Sequence, residues 1–243
     1  GSDPEKFYQA AKLIVDLGFD GIDINMGCPD KSAIKKGACA ALIDNPKLAR
    51  EIIKATIKGA NDLPVSVKTR IGFRKLATEE WTATLLQTPI TALTIHLRTA
   101  SEMSKPPAHW EEMDKIVKIR DKFAPQTLII GNGDIKSIQE ANEKCKKHNI
   151  DGVMVGRGIF DNVYLFNKKI DPKKVTPEDK MALLSKHVQL FNTTYPNSKN
   201  FELLKKFVKC YVSKFNGATK ARESLMKTKN IKEMIQVVKE IIP

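Results

Sequence analysis

The chain has 243 residues, 42% apolar and 28% charged, which fits one large globular domain or a domain with a small companion. Its 41 basic against 28 acidic residues leave a net charge of +13, which points to a polyanionic partner such as nucleic acid. No apolar run approaches the roughly 20 residues of a membrane span, and the four cysteines (Cys28, Cys39, Cys145, Cys210) form no C-x-x-C pair, against a zinc ribbon or a disulfide framework.

Asp3-Pro4 reads as a helix start, an N-cap followed by proline at the first helical position, with the helix running to Gly18. A strand is expected at Gly21–Ile24, and an amphipathic helix over NPKLAREIIKATIKGA. LPVSVKTRIG gives a second strand, TEEWTATLLQ a helix and ALTIHLRT a third strand. WEEMDKIVKIRDKF, TLIIGNGDI, SIQEANEKCKKH and DGVMVGRGIF then read as helix, strand, helix and strand. The strands are short, β-branched and expected to be apolar on both faces, as parallel strands covered by helices are.

The fold class is therefore α/β. Each of the five strands ends in polar or glycine-rich residues (NMGCP, KTRIG, HLRT, GNGD, GRG). Chemistry at the same end of successive strands fits a (β/α) barrel better than a doubly wound sheet, where the site concentrates at one switch point. A full barrel needs eight strands in about 250 residues, so the expectation is a partial TIM barrel, about the last five βα units, with three units upstream. The expected domains are a barrel portion over 1–170 and a small helical domain over 177–243.

That helical segment carries 12 lysines and Arg222 against six acids, a local net of +7. NFELLKKFVKCYVSKFNG reads as one helix ended by Gly217, with Phe201, Phe207, Tyr211 and Phe215 as core. Two shorter helices follow, over ATKARESLMKT and NIKEMIQVVKEII. The lysines are the candidates for phosphate contacts.

Cys28 sits between Gly27 and Pro29 at a strand end, outside regular structure. A thiol there could be structural, a nucleophile, a metal ligand or a proton donor; no His or Cys stands at metal spacing around it. An unperturbed thiol, with a pKa of about 8.5, is mostly protonated at neutral pH and can donate. Lys68 and Arg70 alternate on the second strand and point the same way. A lysine facing a barrel mouth calls for an anion or an electron-rich ligand. His96 ends the third strand and shares that mouth, which favours a ligand role over a packed core histidine. Gly131, Gly133, Gly156 and Gly158 fit a phosphate site in the last two βα loops, with Arg157 to pair the phosphate.

These motifs together (DINMGCP, VSVKTRIG, LTIHLRT, IIGNGDI, GVMVGRGIF, then MSKPPAHW and FVKCYVSKFNGATKARESLM) resemble the tRNA-dihydrouridine synthases over nearly the whole chain. The resemblance implies a flavin-dependent oxidoreductase that binds FMN, is reduced by NADPH or NADH, and converts uridine in tRNA to 5,6-dihydrouridine. It implies hydride transfer to C6 of the uracil and proton transfer to C5 from Cys28. It places Asn25 and Arg70 at the substrate base, Lys68 and His96 against the flavin, and Asn132, Gly133, Asp134, Gly156 and Arg157 at the ribityl phosphate. Leu97, where a small residue is common, is expected to point away from the ring. The implied partner is tRNA gripped by the helical domain, with no membrane and no metal, in a monomeric cytoplasmic protein. The opening Gly-Ser-Asp-Pro-Glu resembles residues just after the family's third strand. The chain is thus expected to be a fragment, impaired or inactive alone and prone to aggregate. Two rival readings are another flavin barrel dehydrogenase acting on a free pyrimidine, and a non-catalytic tRNA-binding remnant.

Overall fold

A computed structural model describes residues 1–196 and 198–241. The expected helical region's last two positions, 242 and 243, lie outside them. The chain divides into two compact units, Gly1–Gly156 and Arg157–Pro243.

The first unit opens with α1 (Pro4–Asp16). Asp3 caps it by accepting hydrogen bonds from the backbone N–H groups of Glu5 and Lys6. β1 (Ile22–Met26) follows, then a short α2 (Lys31–Lys35) and a 3-10 turn at Cys39–Asp44. Next come α3 (Pro46–Ala60), β2 (Val65–Arg70), α4 (Thr78–Leu86), β3 (Ala92–His96) and α5 (Met113–Phe123). β4 (Leu128–Asn132), α6 (Ile138–His148) and β5 (Gly152–Met154) complete the unit.

All neighbouring strands pair in parallel, in the order β1-β2-β3-β4-β5. Among the described residues strand order never reverses, and no switch point is formed. This is an arc of successive βα units, as in a TIM barrel, and not a doubly wound sheet. The register sets Asn25 opposite Lys68, and it runs Arg70, His96, Asn132 and Met154 in one row across β2 to β5.

The sheet buries one face under the helices. Ile24, Met26, Val67, Leu93, Ile95 and Ile129 are sealed against Ile52, Ile53, Leu85, Met113 and Ile116. Each such side chain contributes about 1.5–3 kcal/mol over an exposed one. α1 packs on α3 at Gly59, where a Cβ would lie 2.4 Å from the carbonyl oxygen of Tyr8; any side chain there would force the helices apart. The strands are not apolar on both faces, however. Asp23, Asn25, Ser66 and Lys68 alternate with the buried residues of β1 and β2, and Ser66 Oγ donates to Asp23 at 2.7 Å. At these four positions the second face of the two strands is polar and exposed or half-buried.

The second unit holds α7 (Gly158–Asp161), α8 (Pro177–Thr194), α9 (Glu202–Lys205), α10 (Val208–Tyr211), α11 (Ala218–Lys227) and α12 (Ile231–Ile241). Thr176 and Asp179 form a reciprocal capping box at the start of α8. The single helix expected over 200–217 is broken. Phe207 N donates to Leu204 O and Cys210 N to Phe207 O, both three-residue closures, so the segment winds as tight turns around α9 and α10. Its β-branched and aromatic residues hold a continuous helix poorly. The tighter path turns Leu204, Val208, Tyr211 and Val212 into the core with Met181, Leu184 and Val188. Phe207 stays 37% exposed.

Candidate active site

The turn after β1 is built around Asn25. Its Oδ1 accepts from the backbone N–H groups of Gly27 and Cys28, each at 3.0 Å, which leaves its amide NH₂ to donate elsewhere. The carbonyl of Cys28 accepts from Ala40 N at 3.2 Å, so the 3-10 turn braces the far side. Thr69 Oγ1 donates to Met26 O and itself accepts from Trp81 Nε1, both at 3.0 Å. The half-buried Cys28 is thus held on a backbone fixed from several directions.

Arg70 fixes it from one more. Its Nε donates to Gly27 O at 2.8 Å, and its Nη1 donates to Thr99 O at 3.0 Å and Met103 O at 2.8 Å. The side chain is buried, 7% exposed. Three of its N–H groups are thereby committed to backbone carbonyls around the cysteine turn.

Lys68 is half-buried beside Arg70. Burial, then the Arg70 charge, lowers its pKa from the usual lysine value, while Asp23 opposes the shift. His96 is surrounded by cations. Burial first, then Arg70, Lys68 and Arg98, push its pKa down to about 3, against a smaller opposing effect of Asp134. It is a neutral imidazole at physiological pH. Leu97 points into the core with no exposure, away from this face, as alternation requires.

Arg98 is the residue that motif reading passed over. It is 2% exposed. Its Nε donates to Pro106 O at 2.7 Å, Nη1 meets His96 Nε2 at 3.1 Å, and Nη2 pairs with Asp134 Oδ2 at 2.5 Å. The signal was present in the arginine of H-x-R-T, but its partners lie in other loops.

At the end of β4, Asn132 Nδ2 donates to Met154 O at 2.9 Å, which ties β4 to β5. Gly133 stands at φ +143°, and a Cβ there would lie 2.6 Å from the Ala108 methyl. Asp134 adopts the left-handed φ of 58°, and its Oδ2 also accepts from Ala108 N at 2.9 Å. The Asp134 carboxylate therefore serves Arg98 and the loop after β3. Gly131 also has a packing reason: a Cβ would sit 2.8 Å from the Trp110 ring, whose Nε1 donates to Gly133 O. Gly156, after β5, is exposed and closes the first unit; Arg157, also exposed, opens the second.

The strand ends thus gather Asn25, Cys28, Lys68, His96, Asn132 and Gly133 at one end of the sheet, on a scaffold held by Arg70, Arg98 and Asp134. Exposed or half-buried there are the Asn25 amide, the Lys68 ammonium and the His96 ring. Such a set fits an acceptor-rich aromatic ligand like a flavin ring. Among the described residues, no cluster of His, Cys, Asp or Glu is arranged to hold a metal ion, and no helix is long and apolar enough to cross a membrane.

The sequence profile of the dihydrouridine synthases matches residues 1–242. The chain belongs to the dihydrouridine synthase family. A Staphylococcus aureus (strain Mu50) relative named "Probable tRNA-dihydrouridine synthase" is 43% identical over 235 residues, 96% of this chain and 70% of the relative. A Staphylococcus epidermidis relative of the same name is 42% identical, covering 96% and 71%. "Probable tRNA-dihydrouridine synthase 2" of Bacillus subtilis is 39% identical over 236 residues, again 96% and 71%. In a dihydrouridine synthase the cysteine turn and the donor row beside it take on a definite meaning. They lie at the carboxyl ends of the strands, where barrel enzymes carry their active sites.

Proposed function

We propose that this dihydrouridine synthase reduces uridine in tRNA to 5,6-dihydrouridine, with FMN as its flavin and NADPH or NADH as reductant. The observation that carries this reading is Cys28, held by Asn25 and Arg70 at the strand end next to Lys68 and His96.

Asn25, Lys68 and His96 would hold the flavin, which when bound would supply the hydride for C6 of the uracil. Cys28 Sγ–H gives its proton to C5, and the thiolate regains a proton from solvent, so the C5=C6 bond gains two hydrogens in all. Asn25 orders the turn and presents its amide to the base. Lys68 would set its positive charge against the ring system of the bound flavin. Asn132, Gly133 and Gly156 would supply the phosphate end of the site. The uridine must leave its stack, which costs least in a tRNA loop. The basic helical segment grips the tRNA backbone through shape and charge.

The test is to purify the full chain, add FMN, remove the excess, and assay unmodified tRNA for dihydrouridine with NADPH and with NADH. Retained flavin colour and dihydrouridine formation are expected, with the product lost in Cys28→Ala. A colourless chain that binds tRNA would overturn the enzymatic reading in favour of simple RNA binding. Turnover of free uracil without tRNA would favour a free-pyrimidine dehydrogenase.

A further inference from the structure

We infer that Arg98 is a positioning residue that fixes the proton of His96 on Nδ1, so that the histidine meets its ligand only as a neutral hydrogen-bond donor. A guanidinium carries donors and no acceptor. With Arg98 Nη1 at 3.1 Å from His96 Nε2, that nitrogen must offer its lone pair. The single ring proton then resides on Nδ1. Among the described residues, nothing accepts a hydrogen bond from Nδ1.

Arg98 cannot turn aside, because the rest of its fork is occupied. Nε is held by Pro106 O and Nη2 by Asp134, itself fixed at φ 58° and bonded to Ala108 N. The charged groups facing His96 from the packed elements are Lys68 and Arg70 on β2, Arg98 after β3 and Asp134 after β4. Three cations to one anion oppose a second ring proton, and the depressed pKa agrees. His96 is therefore not an acid in this site. It complements an acceptor atom, a carbonyl oxygen or ring nitrogen of the bound aromatic group. That consequence rests on the function proposed above, whereas the tautomer does not.

The test reads the ring nitrogens of His96 directly. Long-range ¹H–¹⁵N spectra of the full chain would be recorded between pH 5 and 8, with His96→Gln to assign the signals. A pyrrole-type Nδ1 and a pyridine-type Nε2, constant across the range, are expected. Arg98→Met should mix the tautomers and make the ring titrate. Arg98→Lys, which keeps a donor-only cation, should restore part of the native pattern. In parallel, FMN affinity should be flat with pH in the native chain. In Arg98→Met it should fall roughly tenfold and become pH-dependent. A native His96 protonated on Nε2, or an unchanged tautomer in a folded Arg98→Met, would overturn the inference. The native spectrum decides even if that variant does not fold. If the chain binds no FMN, the functional proposal fails while the spectra still decide the tautomer.

Discussion

Arg70 Nε donates to the carbonyl of Gly27 across 2.8 Å, which ties the last residue of β2 to the residue that precedes the site cysteine. The same guanidinium reaches Thr99 and Met103 in the loop after β3. One buried cation thus sets the spacing of three strand ends. Arg70→Met leaves three carbonyls without this donor. It should lower stability by about 3 kcal/mol, read from denaturant midpoints. Arg70→Lys should recover little, since one ammonium on a flexible stem does not reproduce the fork.

Cys28→Ala should lower the single-turnover rate of uridine reduction by roughly 10²- to 10⁴-fold, the usual contribution of a positioned proton donor. Flavin absorption and tRNA affinity should stay as they are. Equal rates in the two proteins would remove Cys28 from the reaction.

The depressed pKa of His96 makes stability depend on pH with a definite sign. Above the unfolded value, about 6.5, the ring is neutral in both states and contributes nothing. As pH falls from there towards about 3, the unfolded chain takes up a proton that the folded chain refuses, and the fold loses stability. Between pH 7 and 5 the loss should be roughly 1–2 kcal/mol after allowance for solvent screening. Urea unfolding at both pH values checks this, with His96→Gln losing less than the native chain.

His109 works in the opposite direction. Its Nε2 meets Glu102 at 2.8 Å and its Nδ1 meets Glu111 at 3.0 Å. The bond to Glu102 raises its pKa, opposed by burial and helped by Glu111. A raised histidine stabilises fully below its unfolded value, near 6.5, and that stability disappears as pH rises through the folded value. The loop from Thr99 to Glu111 should therefore loosen on the alkaline side. Limited proteolysis at pH 6 and pH 9 should show faster cleavage of this loop at pH 9, with His109→Gln showing a smaller difference between the two.

Lys220 and Lys227 lie seven residues apart on α11, on one side of the helix and exposed. Replacing both with alanine should weaken tRNA binding. It should also reduce the slope of log affinity against log salt by about 1.5, from two fewer phosphate contacts. An unchanged slope would place the RNA on another face.

The sequence by itself determined whatever depends on neighbours along the chain. Strand–helix alternation, the Asp3-Pro4 cap and the polar strand ends follow from local patterning, and they fix the parallel arc and the end where the site lies. The motif row NMGCP, KTRIG and HLRT named Cys28, Lys68 and His96 in the same way. What the tertiary structure alone decided is the work of the buried charges. Arg98 pairs with Asp134 across 36 residues, and Arg70 reaches Gly27 across 43. Asp134 and Asn132 turn their side chains to Arg98 and Met154 because those partners lie in adjacent loops and strands of the sheet. The same reason breaks the helix near Phe207: local spacing favoured a continuous helix, and burial of Leu204, Val208 and Tyr211 in one core prevailed. A buried donor goes to whichever acceptor the fold brings within reach, and no spacing along the chain encodes that distance.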